Sequence, residues 1–238
     1  MSKPRIRAIL FDKDGTLVDF EKTWVGVGDA LALSAANGDR AEADRLLAIA
    51  GFDFATGTYK PDSVFAAGTN AEVVALWYPD FTEEEREERT LVFNAFTAAQ
   101  GAAHAVGLPG LNETVSTLFD QGLLLGVVTN DSGEGARLTL QALGIADRFL
   151  AAYGYDTVPR PKPAPDPVLA FSALSGVAPE EILVIGDNCH DLEMARAARV
   201  GLAVGVLSGT GTQASLSPMA DVVLGSIAEL PAFLARGR

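Results

Sequence analysis

Phe11-Asp12-Lys13-Asp14-Gly15-Thr16-Leu17 follows a short apolar run, Ala8-Ile9-Leu10-Phe11. The run reads as a buried strand. Two carboxylates, one residue apart, stand where it ends. Alternation along an extended chain puts residues i and i+2 on one side, so Asp12 and Asp14 can face a common pocket. Gly15 permits a sharp turn and lets backbone N–H groups approach whatever binds there. Ligands of open parallel sheets sit at the carboxyl ends of strands. Taken alone, the stretch fits a solvated acidic turn equally well.

Beyond Asp19-Phe20 the sequence turns helical. Trp24, Val27, Leu31 and Ala35 recur at helical spacing, and Asn37-Gly38 stops that helix. A second helix is expected over 41–50, a loop with a helical turn over 52–70, and a helix over 71–78. Thr82 and Glu85 have capping-box spacing for a long helix reaching about His104. In its charge run, Glu85 and Arg89 are expected to pair at i,i+4. No strand is expected between 21 and 105.

Strands and helices then alternate. Leu123–Val128 is a continuous apolar run ending in Thr129-Asn130-Asp131, as a central parallel strand would be. A helix over 135–143 and a strand over 149–153 follow. Lys162 lies in a proline-rich connector, and Asp166-Pro167 reads as N-cap and first helical residue. Ile182–Ile185 is a buried strand ending in Gly186-Asp187-Asn188-Cys189-His190-Asp191, with a helix expected from Leu192. Further strands are expected over 201–206 and 221–224. The pattern predicts an α/β fold, a Rossmann-like three-layer parallel sheet. An α-helical segment of roughly 85 residues, the size of a small domain, interrupts it. The expected division is 1–19 and 107–238 for the core, 20–106 for the insert.

Composition narrows the function. The chain has 238 residues, 48% of them hydrophobic, so a sizeable core is available. A formal net charge of -13 argues against nucleic acid as the main partner. The lone Cys189 fits a reducing compartment. His104 and His190 are too far apart in sequence for a His-rich metal site. No apolar run approaches the ~18 residues of a membrane span, and the N-terminus does not read as a signal peptide. A cytoplasmic protein without a membrane partner is expected.

Four strand ends thus carry chemistry-bearing groups: Asp12/Asp14, Thr129/Asn130, Lys162 and Asp187/Asp191. In a parallel sheet such ends share one edge. Each group alone has an ordinary explanation, such as a turn hydroxyl, a solvated cation or a helix cap. Their coincidence at one edge carries the inference.

This set resembles the haloacid dehalogenase-like hydrolases, in their phosphatase branch with an α-helical cap. Phosphoglycolate phosphatases are the nearest resemblance. The family's four motifs match Asp12-Lys13-Asp14-Gly15-Thr16, Thr129, Lys162, and Gly186 to Asp191. The resemblance implies a Mg²⁺-dependent phosphatase acting on a small phosphorylated metabolite through an aspartyl phosphate. Asp12 would be the nucleophile and Asp14 the general acid and base, with Thr129 and Lys162 completing the catalytic set. Lys13, Gly15, Thr129, Asn130 and Lys162 would meet the phosphate, and Asp12, Asp14, Asp187 and Asp191 the metal. An oxygen-only site suits Mg²⁺. Cys189 and His190 are expected to pack rather than react. Phe20, Glu21, Trp24, Tyr59 and Lys60 are candidate substrate contacts in the cap.

Other readings use the same residues, among them a non-catalytic scaffold, which would be expected to have lost one of the carboxylates. A phosphosugar mutase on this fold would pass the phosphoryl group on instead of releasing it. A phospho-acceptor signalling module also gathers acids, a hydroxyl and a lysine at strand ends. It would lack the helical insert and carry its phosphorylated Asp after a later strand.

Overall fold

The computed structural model describes residues 5–236. In sequence order they form β1 (Ala8–Asp12), α1 (Phe20–Ala35), α2 (Arg40–Ile49), β2 (Phe52–Asp53), β3 (Thr58–Tyr59), α3 (Val64–Ala67), α4 (Asn70–Trp77) and α5 (Glu83–Ala103). Then follow α6 (Leu111–Asp120), β4 (Leu124–Val128), α7 (Gly133–Ala142), β5 (Phe149–Tyr153), α8 (Asp166–Ser175), β6 (Ile182–Gly186), α9 (Cys189–Ala197), β7 (Leu202–Val206), α10 (Gln213–Leu216), β8 (Val222–Leu224) and α11 (Leu230–Ala235).

Six strands make one parallel sheet in the order β5-β4-β1-β6-β7-β8. The expected Rossmann-like three-layer α/β core is therefore present, with β1 between β4 and β6. β1 is buried on both faces, which is why its sequence is a continuous apolar run. Ile9 and Phe11 pack with α6, α7 and α11, whereas Ala8 and Leu10 pack with α8 and α9.

The inserted α-helical cap has its own core, a cluster running from Phe20 and Trp24 to Trp77 and Phe93. Its two connectors lie side by side. The Asp19 N–H donates to the Val106 carbonyl at 2.8 Å, and the Leu108 N–H to the Leu17 carbonyl at 2.9 Å.

Several local features differ from the sequence reading. The 52–70 segment contains a hairpin, with Phe52 opposite Tyr59 and Asp53 opposite Thr58. Its strands are too short to show alternation, and aromatic packing holds them: Tyr59 stacks on Phe65 with centroids 4.4 Å apart. α9 begins at Cys189 rather than Leu192, because Asn188 and Asp191 form a capping box. Asp166 is not an N-cap. Pro165 holds that place, and the Asp166 carboxylate pairs with Arg160 at 2.8 Å. The expected Glu85–Arg89 pair is not made. Glu85 accepts from the Thr82 N–H and hydroxyl, while Arg89 lies over the Tyr78 ring. The short α10 and α11 carry too few turns to produce a periodic signal.

Candidate active site

The cleft between sheet edge and cap encloses roughly 660 Å³, its open mouth included. Asp12, Asp14, Thr129, Asn130, Lys162 and Asp187 all line it. Asp191 is fully buried beside it. The fold thus brings together residues scattered over most of the sequence, because β1, β4 and β6 end at the same edge.

Asp12 is 4% exposed at the end of β1. Its Oδ1 accepts from Lys162 Nζ at 2.6 Å, and Lys162 also donates to Asp191 Oδ1 at 2.7 Å. Asp12 Oδ2 is buried and has no protein partner. A buried carboxylate oxygen in that condition calls for a cation or a donor from a ligand. Burial pushes the Asp12 carboxyl well above the usual carboxylate range. Lys162 opposes that rise, and Asp191, Asp187 and Asp14 add to it. Burial, then Asp191, likewise drives Asp187 up to about 7.

One oxygen from each of Asp12, Asp187 and Asp191 lies within 4.8 Å of the others. An all-oxygen set of crowded, buried carboxylates fits a hard divalent cation, which would offset their mutual repulsion. Asp191 is largely committed elsewhere: Oδ1 to Lys162 and Oδ2 to the Asn188 N–H at 3.0 Å. It anchors the lysine and starts α9 at the same time. Asp187 is steadied by the Thr210 N–H at 2.7 Å.

Asp14 lines the same cleft. Its Oδ1 accepts from the indole N–H of Trp24, a cap residue, at 2.6 Å. Lys13 approaches its Oδ2 at 2.8 Å and Asp131 at 3.0 Å. This departs from the expectation that Lys13 meets phosphate. Lys13 is 1% exposed and bound to two carboxylates, and it stands outside the cleft wall. Gly15 differs as well. Its N–H donates to the Val18 carbonyl at 2.7 Å, so its contribution is shape. At φ +84° it passes so close that a Cβ would lie 2.6 Å from Asp187 Oδ2.

Of the candidate cap contacts, Phe20 and Trp24 line the cleft, and Glu21, Tyr59 and Lys60 do not. Sequence reading missed Phe65, Thr69, Asn70 and Thr97. A signal was available, since Thr69 and Glu72 have capping-box spacing and mark where α4 begins. Asn130 reaches the cap too, its amide donating to the Ala67 carbonyl at 2.9 Å. His190 lines the cleft from the first turn of α9.

The chain belongs to the haloacid dehalogenase-like hydrolases, whose family model matches residues 6–199. Within that class it is a phosphoric monoester hydrolase of the phosphoglycolate phosphatase-like branch. It is 32% identical over 247 residues to the phosphoglycolate phosphatase of Shigella boydii serotype 4 (strain Sb227), covering 94% of this chain and 91% of that enzyme. The phosphoglycolate phosphatase of Escherichia coli (strain K12) is 31% identical over 256 residues, with the same coverage. Among solved structures, a hydrolase from Pseudomonas syringae superposes with a TM-score of 0.67 at 26% identity, covering 96% of this chain and 98% of that one. No helix among the described residues is long and apolar enough to cross a membrane.

Proposed function

We propose that the protein is a Mg²⁺-dependent phosphatase of small phosphorylated metabolites, working through an aspartyl phosphate on Asp12. The observation that carries this is the Asp12 carboxylate itself. One oxygen is held by Lys162 and the other is without a protein partner, and Asp14 lines the same cleft. An oxygen of Asp12 attacks phosphorus, forming an O–P bond as the ester P–O bond breaks. Asp14 gives its proton to the departing alcohol, then takes one from the water that cleaves the acyl phosphate. Thr129 and Asn130 hold phosphoryl oxygens, and Lys162 offsets charge on the equatorial oxygens. Asp12 and Asp187, with the Asp14 backbone carbonyl, would hold Mg²⁺, and Asp191 would stand beside them. Held there, Mg²⁺ would supply positive charge to offset the crowded carboxylates and the phosphoryl charge.

In this reading residues 1–19 and 107–238 form the catalytic unit and 20–106 the lid. The separate hydrophobic cluster of the insert supports that division. Trp24 supports a coupling of lid to chemistry, because its indole, on the first helix of the insert, donates to Asp14. A covered cleft and the net charge of -13 favour small esters over phosphoproteins or nucleic acids. A cytoplasmic setting fits the single thiol.

The test is Asp12→Asn. The amide cannot displace the ester usefully, so phosphate release should vanish while circular dichroism is unchanged. Near-wild-type turnover by that variant would exclude the covalent route.

A further inference from the structure

Two core asparagines hold one short segment of the cap. Each directly follows a strand-end residue of the site: Asn130 follows Thr129, and Asn188 follows Asp187. Asn130 Nδ2 donates to the Ala67 carbonyl at 2.9 Å, and Asn188 Nδ2 to Asp62 Oδ1 at 3.1 Å. The segment between these two anchors, 62–67, supplies Phe65, Ala66 and Ala67 to the cleft wall. The two bonds therefore join this part of the cap wall to the ends of β4 and β6.

The anchors are unequal. Ala67 offers a backbone carbonyl, which any residue there would supply. Asp62 offers a side chain. It stands third in the turn Lys60-Pro61-Asp62-Ser63, closed by the Ser63 N–H donating to the Lys60 carbonyl at 3.2 Å. Its φ is +58°, a conformation that glycine adopts freely and a residue with a Cβ adopts at a cost. The turn alone would favour glycine. Asn188 is 7% exposed and committed at its other atom, since Oδ1 accepts from the His190 N–H at 3.0 Å. That N–H can only donate, so Nδ2 is the atom that faces Asp62.

We propose that Asp62 is a positioning residue: through Asn188 it latches the cap wall onto the loop that carries Asp187, and so holds Phe65 over the bound substrate. The role toward substrate rests on the phosphatase reading above.

The effects of Asp62→Gly separate by sign. The change relieves the turn, so Tm should stay within about 3 °C of wild type. It removes a negative charge from a chain of net charge -13, which by itself would draw in an anionic ester and lower KM. It also removes the acceptor for Asn188, which leaves the wall undocked in part of the population and raises KM. A raised KM in a stable variant therefore comes from neither strain nor charge.

The full-length wild type, Asp62→Gly and Asp62→Asn, with Mg²⁺ present, should be compared for phosphate release from 2-phosphoglycolate and from p-nitrophenyl phosphate. With the better of the two esters, KM should be about three- to tenfold higher in Asp62→Gly, with kcat within about twofold of wild type. Asn tolerates the positive φ and keeps an acceptor, so Asp62→Asn should have a KM at or below that of wild type. A rise of less than about twofold in Asp62→Gly, or the same rise in Asp62→Asn, would overturn the latch and leave the phosphatase reading standing. Trp24 gives a readout that does not depend on turnover. It is 6% exposed and stands edge-on to Phe65, with ring centroids 6.4 Å apart. Trp77, the other tryptophan, is buried in the core of the cap. Acrylamide should quench the fluorescence of Asp62→Gly more steeply than that of wild type or Asp62→Asn, and equal quenching of all three would overturn the latch. No phosphate release by wild type from either ester would overturn the phosphatase reading, and the quenching would then decide the latch by itself.

Discussion

Replacing Lys13 by Met tests how the site is held. Lys13 is buried to 1% exposure, with its ammonium 2.8 Å from Asp14 and 3.0 Å from Asp131. Burial alone would lower its pKa, but Asp131 and Asp14 outweigh that and raise it above the ordinary lysine value. A cation with a raised folded-state pKa contributes its stability below the unfolded value and loses it only at strongly alkaline pH. At neutral pH the contribution is therefore whole. Lys13→Met leaves Asp131 buried against Asp14 with no cation between them. Breaking a buried pair in this way costs about 3–5 kcal/mol. For a protein of this length, that is a fall in Tm of about 6–20 °C. Burial also raises the Asp131 carboxyl, with Lys13 offsetting only part of it. The pair is thus close to break-even as a unit, and Lys13→Met/Asp131→Leu should recover most of the loss. Scanning calorimetry of wild type and both variants at pH 7 is the assay. A single variant within about 3 °C of wild type, or a double variant no more stable than the single, would refute the reasoning.

Two further outcomes follow from the same geometry. Trp24→Phe keeps an aromatic ring and deletes the indole donor to Asp14. It should lower kcat by about tenfold or more with circular dichroism unchanged, and an unaltered kcat would mean that Trp24 does not position the acid. Chelation by EDTA should silence phosphate release and Mg²⁺ restore it, with Ca²⁺ a poor substitute because it favours looser, higher coordination. Full activity in excess chelator would rule out a metal at Asp12 and Asp187.

The sheet was legible because strands buried on both faces must be apolar throughout, as Leu123–Val128 and Ile182–Ile185 are. The convergence of Asp12, Thr129, Lys162 and Asp187 followed from topology, since parallel strands end at one edge. The side-chain partners were not legible in the same way. Whether Lys13 faces phosphate or Asp131 depends on how the turn at Gly15 aims it, and no periodicity reports that. Asp191 looked like a metal ligand or a helix cap, and it caps α9 while holding Lys162. The cap wall was hardest to read. Phe65 reaches the cleft through stacking on Tyr59 in a hairpin only two residues deep per strand, and contacts of that kind leave no pattern in sequence.

β1 has a consequence for how the molecule assembles. Ala8 pairs with Leu124 on one side and Ile182 on the other, so the central strand has no neighbour nearby in sequence. During synthesis at about 5–20 residues per second, it waits on the order of ten seconds for its first partner. The helices of the insert are completed in the interval, and their apolar cluster, Phe20 to Phe93, needs nothing that comes later. All the residues of that cluster are therefore present while the strand carrying Asp12 is still without a sheet to join. Such long-range parallel pairing is slow in any order, and here the ribosome delivers Asp12 well before the strands that flank it.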